Sequence, residues 1–203
     1  MADHSKPLDE ADVDPDPFAQ FGRWFEEASV EIRMPEAVAL ATVDDRARPS
    51  IRMVLIKAWD ERGFVFHTNY ESRKGRELED NHRAALLFYW DMFGRQIRVE
   101  GAVERVSPEE SDAYFDTRPL GAQIGARASW QSRPTDSREA LDQRVQELTR
   151  EFEGRTVPRP EWWGGYRLQP DCFEFWQNRD DRLHDRLRYL PVGSAWCVDR
   201  LQP

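Results

Sequence analysis

The stretch "AVALATVDDRARPSIRMVLIKAWDERGFVFHT", Ala37 to Thr68, decides the fold of this chain. Three apolar runs lie within it, at Ala37 to Val43, Ser50 to Trp59 and Phe64 to Thr68. The segments between them, "DDRARP" and "DERG", have the length and composition of turns. Because strands joined by short turns pair in opposite directions, the stretch predicts an antiparallel meander.

Further strands and helices are predicted on both sides of this meander. The other strands are expected at Ala84 to Trp90, Arg95 to Val106, Gly165 to Gln169, Cys172 to Trp176, within Phe175 to Leu190, and at Ala195 to Leu201. The helices are expected to begin at Asp16, Ser72, Ser107 and Ser137. About eight or nine mostly antiparallel strands with helices inserted between them indicate an α+β fold with a closed or nearly closed β-barrel core.

The acidic charge of the chain is concentrated at its start. Residues 1–17 contain six acidic residues and one lysine, while the net charge of all 203 residues is −9. An acidic, proline-containing segment predicts disorder over residues 1–15, followed by a single domain over residues 16–203. Since the remaining chain is nearly balanced in charge, a general nucleic-acid surface is not expected.

Composition also argues against several other classes of protein. No apolar run approaches the roughly 20 residues of a membrane span, and the N-terminus lacks the pattern of a secretory signal, so we expect a cytoplasmic protein without membrane contact. Cys172 and Cys197 form no Cys-x-x-Cys pair, and the four histidines show no ligand spacing. A metal site is therefore not expected.

Two groups of cations lie near the meander. In "RMVLIK", strand alternation directs Arg52 and Lys57 to opposite sides of a strand that should be central. In "HTNYESRKGREL", Arg73 and Lys74 fall in the first turn of a helix, where the helix dipole disfavours cations. An anion such as a phosphate, bound by the amides and both charges, would explain this second pair, although a solvated helix face is the alternative.

Two more groups follow later in the chain. Tyr114 and Arg118 in "YFDTRP" suit a phosphate. The arginine guanidinium presents a fork of N–H donors to the phosphate dianion, and the tyrosine adds a neutral hydroxyl donor. In "FWQNRDDRLHDRLRYL", an extended strand would place Arg182, His184, Arg186 and Arg188 on one face, with Leu183, Leu187 and Tyr189 on the other. The preceding Trp176 could wall a planar ring. Each group alone also fits a structural role, whereas four in one acidic protein favour phosphate binding.

Read together, these stretches resemble the pyridoxamine 5′-phosphate oxidases. The resemblance is carried by "RMVLIK", "GFVFHTNYESRKGREL", "RQIRVEG", "YFDTRP", "QIGARASWQS", "WWGGYRL", "FEFWQNRDDRLHDR" and the final "DRLQP", in that order, and it covers about residues 16–203. It implies an antiparallel split β-barrel with inserted and flanking helices. It also implies a homodimer with FMN at two interface sites, which oxidises pyridoxine or pyridoxamine 5′-phosphate to pyridoxal 5′-phosphate with O₂ and yields H₂O₂.

The resemblance further implies which residues form the site. FMN binding is expected at Arg52, Met53, Val54, Leu55, Ile56, Lys57, His67, Thr68, Arg73, Lys74, Gln96, Gln131, Ser132, Trp176 and Arg186, with both subunits contributing. Substrate binding is expected at Lys57, Tyr114, Arg118, Arg182, Leu183 and His184. Arg182 and His184 are the expected catalytic residues, which orient the pyridine ring and handle the charge that develops as a hydride moves from the substrate to the flavin.

Two departures from the family pattern keep alternatives open. Members often have a serine where this chain has Ala122, and many carry a basic N-terminal segment that covers the substrate, which the acidic start of this chain does not resemble. These departures favour a second interpretation, a related FMN oxidase acting on another substrate such as a phenazine precursor. A third interpretation is a module that binds flavin or pyridoxal phosphate without turnover. The retained Tyr114, Arg118, Arg182 and His184 favour the vitamin B6 oxidase.

Overall fold

The structure, a computed structural model, describes residues 7–203. Over that range the helices are α1 (Pro17–Glu31), α2 (Arg73–Asp80), α3 (Pro108–Thr117), α4 (Leu120–Ala128) and α5 (Arg138–Glu151). The strands are β1 (Ala37–Val43), β2 (Pro49–Asp60), β3 (Gly63–Asn69), β4 (Arg83–Trp90), β5 (Arg95–Arg105), β6 (Trp163–Gln177), β7 (Asp185–Val192) and β8 (Ala195–Arg200). None of the helices in this range has the length and apolarity needed to span a membrane.

Six strands close into an antiparallel barrel. Their order is β3-β2-β1-β4-β5-β6, and β3 pairs back to β6. The first part of β6 pairs with β3, while its last five residues pair with β7, so that β7 and β8 extend the sheet beyond the ring. The predicted α+β class and closed antiparallel barrel are confirmed.

The barrel core consists of side chains at alternate strand positions, with α1 packed against it. Phe64 and Phe66 on β3 are fully buried, as is Phe21 on α1. The rings of Phe21 and Phe64 meet edge to face with their centroids 4.9 Å apart, the geometry that aromatic pairs favour. Asp16 caps α1 as predicted, since its carboxylate accepts a hydrogen bond from the Phe18 amide at 2.9 Å.

A second, smaller cluster packs α3, α4 and α5 together beside the barrel. Ile124 and Ala128 on α4 are buried in it with Leu148 on α5 and Trp163 on β6. Helix α4, with two glycines in "LGAQIGARA", was not predicted. Burial of its apolar side against α5 outweighs the low helix propensity of glycine.

The last third of the sheet differs from the prediction in one respect. The two strands expected on either side of Pro170 are one strand, β6. Gly101 pairs with Pro170 and Glu100 with Cys172, so an extra residue bulges from β6 at this point. A bulge accommodates a proline, which lacks an amide for the ladder, without ending the strand.

The N-terminal segment also differs from its prediction. Residues 1–6 of the predicted disordered tail lie outside the described residues, but from Leu8 onward the chain packs on β7 and β8. Leu8 is buried, and its amide donates to Asp185 Oδ2 at 3.1 Å. Glu10 forms an ion pair with Arg200 at 2.6 Å. The expected disorder is therefore wrong for Leu8 to Asp14, because a local cation neutralises acidic residues that composition alone treats as repelling one another.

Candidate active site

A cleft of about 800 Å³ opens along the outer side of β2. It gathers most of the predicted FMN and phosphate-binding residues, namely Arg52, Met53, Val54, Leu55, Lys57, His67, Thr68, Arg73, Lys74, Tyr114, Arg118, Gln131 and Ser132. Alternation along β2 leaves Met53 and Leu55 exposed on this side. Ile56 does not line the cleft, because its side chain faces the barrel core and is 4% exposed.

One end of the cleft is a cradle of cations at the start of α2. The Lys74 ammonium is buried and donates to Thr68 Oγ1 and Gln131 Oε1, both at 3.0 Å, and to Ser72 Oγ at 3.3 Å. These acceptors are neutral, and within residues 7–203 no carboxylate lies at ion-pair distance from Lys74. Burial, followed by the charge of Arg52, lowers the pKa of Lys74 to about 8. A buried cation without a contacting anion, at a helix N-terminus, is suited to a phosphate.

The other end of the cleft carries Arg118 and Tyr114. Helix α3 supplies Tyr114, and Arg118 caps the end of that helix. The Arg118 guanidinium lies 4.6 Å from the centre of the Trp163 ring, and its Nη1 atom is buried without a hydrogen-bond partner among the described residues. A buried guanidinium nitrogen with no acceptor is costly, so this geometry also favours an anionic ligand.

His67 lies between these two ends. Its ring stacks on Tyr114 with centroids 3.9 Å apart, and neither ring nitrogen has a hydrogen-bond partner in the described chain. Burial, and then the charges of Arg118 and Lys57, lower the pKa of His67 to about 4. The imidazole is therefore neutral at physiological pH and provides a flat wall rather than a charge.

The remaining predicted residues form a second group on β5, β6 and β7. Gln96, Trp176 and Arg186 are direct cross-strand neighbours, so their side chains share the outer face of the sheet. Arg186 is held by the buried Glu174, which accepts from its Nε at 2.7 Å. None of the three lines the cleft on β2.

The predicted extended strand through Arg182 and His184 is wrong. Strand β7 begins at Asp185, and Asp180–Arg182 form a tight turn in which Asp181 and Arg182 have φ values of 56° and 61°. Leu183, expected in the core, is 68% exposed. The chain must reverse between β6 and β7 here, and a hairpin connection with left-handed residues takes precedence over the two-residue alternation.

His184 nevertheless lies beside the second group. Its ring centroid is 4.5 Å from that of Trp176. Its Nδ1 accepts a hydrogen bond from the Arg179 amide at 3.2 Å, which places the proton of the neutral ring on Nε2. The Nε2 atom is thus the one that can donate to a ligand.

The cleft and the second group occupy the same outer sheet face but are far apart within one chain. Strands β1 and β4 separate β2 from β5, so Met53 lies about 14 Å along the sheet from Arg98 in the same cross-strand row, at roughly 4.8 Å per strand, and Gln96 lies two residues further along β5. Between them the face is apolar, with Ala39 paired to Met53 on one side and to Leu87 on the other.

Two buried carboxylates of the site were not predicted from the sequence. Glu77 on α2 binds Arg52 and Arg73, and Glu174 on β6 binds Arg186. In the sequence Glu77 stands among charged residues that suggest a solvated helix face. The only signal for it was its position four residues after Arg73, a spacing that favours ion pairs on a helix.

Comparison with known protein families matches two models to this chain. The model described as pyridoxamine 5′-phosphate oxidase matches residues 25–151. The model described as the pyridoxine 5′-phosphate oxidase C-terminal dimerisation region matches residues 163–203. The cleft on β2 and Gln96 of the second group fall mainly in the first match, and Trp176 and Arg186 of the second group fall in the second.

Similar proteins agree with these matches. The pyridoxine/pyridoxamine 5′-phosphate oxidase of Rubrobacter xylanophilus is 59% identical over 97% of this chain and 91% of its own length. The protein of the same name from Burkholderia lata is 56% identical over 97% of this chain and 93% of its own length. Among solved structures, PhzG from Burkholderia lata, in complex with tetrahydrophenazine-1-carboxylic acid, superimposes with a TM-score of 0.91 and 37% identity, covering 98% of this chain and all of that one.

Proposed function

This chain belongs to the pyridoxamine 5′-phosphate oxidase family, and we propose that it oxidises pyridoxamine or pyridoxine 5′-phosphate to pyridoxal 5′-phosphate with FMN and O₂, giving H₂O₂. One observation carries the proposal: a single cleft has two separate cationic ends, at the buried Lys74 and at Arg118, whose Nη1 atom is buried, and neither cation has an anionic partner among the described residues. Two phosphate esters, one of the cofactor and one of the substrate, would satisfy both ends.

The Lys74 end suits the phosphate of FMN. Lys74 and Arg73 supply charge at the start of α2, with Thr68 and Gln131 beside them. From there the exposed side of β2 leads along Met53 and Leu55 toward the other end of the cleft, an apolar surface on which an isoalloxazine ring can lie. When bound, FMN supplies a two-electron acceptor for the hydride that leaves the substrate C4′ carbon and passes both electrons to O₂.

The Arg118 end suits the substrate phosphate. Arg118 and Tyr114 offer a fork of N–H donors and a phenol, and Lys57 lines the same cleft. Burial raises the pKa of Tyr114, so its hydroxyl stays protonated and available as a donor. This end fixes the substrate through its ester, so that the pyridine ring projects toward the flavin surface of β2.

The second group completes the site only if a partner chain supplies it. A two-fold axis passing near Ala39, at the middle of the apolar face, would bring β2 of one protomer opposite β5 to β7 of the other. Gln96, Trp176 and Arg186 of one chain would then meet the flavin bound by its partner. The match to a dimerisation region over residues 163–203 supports a homodimer built in this way.

Within such a site, Arg182 and His184 would cover the pyridine ring. Because the Arg179 amide fixes the His184 tautomer, Nε2–H can donate to an oxygen or nitrogen of the substrate near the reacting carbon. Arg182 adds a permanent positive charge and a fork of N–H donors that can hold polar groups of the substrate. Both residues orient the ring for hydride transfer, and closure by the partner chain excludes water from the reacting atoms.

A second substrate, a phenazine precursor, is favoured by a different observation. The structure of PhzG superimposes over 98% of this chain, and Ala122 supplies no hydroxyl to the cleft at a position where family members often have a serine. A pyridoxine/pyridoxamine 5′-phosphate oxidase and PhzG from Burkholderia lata can, however, both be compared with this chain. This chain is 56% identical to its pyridoxine/pyridoxamine 5′-phosphate oxidase and 37% identical to its PhzG, which supports the vitamin B6 substrate.

One aerobic assay distinguishes these functions. Purified protein is mixed with pyridoxamine 5′-phosphate in air, and the flavin absorbance, the aldehyde product and peroxide are followed. The proposed function predicts yellow protein with aldehyde and H₂O₂ in equal amounts. Yellow protein that forms no aldehyde would favour a phenazine-type substrate, and bound ligand without peroxide would indicate a binding module without turnover.

A further inference from the structure

A buried carboxylate, Glu77, lies beneath the cationic cradle at the start of α2. Its side chain is 4% exposed. Oε2 accepts from Thr42 at 2.5 Å, from Ser50 at 2.6 Å and from Arg52 Nη2 at 3.0 Å. Oε1 accepts from Arg73 Nε at 2.8 Å. One carboxylate thus ties α2 to β1 and β2.

These contacts fix the direction of several donors. Thr42 and Ser50 each have one hydroxyl proton, and both give it to Glu77. Their oxygens are therefore free to accept from Arg52, and Arg52 does donate to both. The orientation of Arg52 depends on Glu77 twice, once through the ion pair and once through the hydroxyls that Glu77 orients.

The same carboxylate sets the charge of the cradle. Burial opposes ionisation of Glu77, but hydrogen bonds from Ser50, Thr42 and Arg73 outweigh it and lower its pKa to about 2. Arg52, Arg73 and Lys74 together with Glu77 leave two net positive charges, which neutralise a phosphomonoester dianion. The charge of Glu77 also raises the pKa of Lys74 and so partly offsets burial and Arg52, which lower it.

We propose that Glu77 is a positioning residue for the cofactor phosphate, which holds Arg52 and Arg73 in place and keeps Lys74 protonated beneath that phosphate. The proposal rests on the proposed function, because it assigns this end of the cleft to the phosphate of FMN. A carboxylate that served only to stabilise the fold would affect binding of a phosphorylated and an unphosphorylated flavin equally. A positioning residue affects the phosphorylated flavin selectively.

The test compares FMN with riboflavin, which lacks the phosphate, in binding to the flavin-free dimer. Glu77→Gln keeps the size of the side chain and removes its charge. Glu79→Gln is the matched control, because Glu79 lies two residues further along α2, is 63% exposed and pairs with Arg105 outside the cleft. For Glu77→Gln we expect FMN affinity to fall about tenfold or more at pH 7 and riboflavin affinity to change less than about threefold. Glu79→Gln should leave both affinities within about twofold of wild type.

A pH series adds a readout that does not depend on the variant folding as well as wild type. In wild type, FMN affinity should fall as the pH rises through about 8, where Lys74 loses its proton in the free protein, while riboflavin affinity stays level. In Glu77→Gln the fall in FMN affinity should begin at lower pH, because the pKa of Lys74 is no longer raised by the charge of Glu77. Glu77→Asp, which restores the charge on a shorter side chain, should return the wild-type pH dependence even where affinity is not fully recovered.

The outcomes separate the two proposals. If wild type binds FMN no more tightly than riboflavin, the assignment of this end to a phosphate fails, and the role of Glu77 fails with it. If wild type prefers FMN but Glu77→Gln loses both flavins equally, or retains the full preference and pH dependence, only the role of Glu77 is overturned. If Glu77→Gln does not fold, a wild-type FMN affinity that is level across pH 8 overturns the role of Glu77.

Discussion

At the scale of single residues, two cations of the cleft, Lys74 and Arg118, have no anionic partner among the described residues. Arg118 is the clearest case, because its Nη1 is buried and unpartnered in the described structure while Trp163 covers the guanidinium. A protein that leaves such a group unpaired loses stability, which ligand binding restores. Residues of this kind are therefore the most informative positions for mutation.

Replacement of Arg118 should weaken substrate binding while sparing the cofactor. For Arg118→Ala we expect kcat/KM for pyridoxamine 5′-phosphate to fall by about a hundredfold or more, since a charge-assisted pair of hydrogen bonds contributes roughly 3 kcal/mol. Arg118→Lys keeps the charge but not the fork and should recover part of the loss. FMN affinity, measured by fluorescence quenching, should stay near wild type. Equal loss of FMN and substrate would contradict the assignment of this end of the cleft.

Protonation of His67 should lower the stability of the folded protein at acidic pH. Its pKa of about 4 lies below the ordinary histidine value of 6.5, so the unfolded chain binds the proton more readily than the folded chain. Stability is then lost as pH falls from 6.5 toward 4, by about 2 kcal/mol after allowance for its partial exposure. His67→Phe, which keeps the stack on Tyr114, should flatten this part of the curve in urea unfolding of the apoprotein. Parallel curves for both proteins would show that other groups cause the acid loss.

Sequence reasoning predicted the cations of the site more successfully than their counter-charges. Arg73 and Lys74 drew attention because cations are unfavourable at the start of a helix, and the structure brings them to the cleft with Arg52. Glu77 and Glu174 gave no such signal, because a carboxylate near arginines looks the same in a sequence whether it is solvated or buried. Burial depends on the packing of distant strands, which one sequence does not reveal.

At the scale of elements, local patterns predicted where several helices begin but not where the last strands start and end. Ser72 and Ser107 cap α2 and α3 as their sequence positions indicated. The turn at Asp180–Arg182 interrupts a regular alternation, and the bulge near Pro170 joins two expected strands. Both differences arise from pairing with a neighbouring strand, which decides where a chain reverses and where it bulges.

The close approach of β5 to β6 at the bulge can be tested by mutation of Gly101. A Cβ atom added at Gly101 would lie 1.9 Å from the Gln169 carbonyl oxygen, a backbone atom that cannot move aside. Gly101→Ala should therefore lower the free energy of unfolding by about 3 kcal/mol or more. Gly121→Ala is the matched control, because nothing lies within 4 Å of its added Cβ, and it should change stability by no more than about 1 kcal/mol. Similar unfolding midpoints in urea for both variants would contradict this close approach.

At the scale of the whole molecule, the barrel holds the two halves of the proposed site, the cleft and the β6–β7 hairpin, apart within one chain. The cleft carries Arg118 and Tyr114 near Trp163, at the start of β6, whereas the hairpin with Arg182 and His184 follows the far end of β6, at Gln177. If two protomers complete each other's sites across the apolar face near Ala39, every site needs both chains. A defect in the cleft and a defect in the hairpin then belong to different halves of each site.

Mixing two inactive variants tests this arrangement directly. Arg118→Ala disables the cleft half, and the double variant Arg182→Ala with His184→Ala disables the hairpin half. After dissociation and random reassociation of equal amounts, half of the dimers contain one chain of each kind, and each such dimer has one site with both halves intact. Activity should therefore recover to about a quarter of the wild-type value, whereas either variant alone stays inactive after the same treatment. If each chain held a complete site, mixing would restore nothing, because no chain in the mixture carries both halves intact.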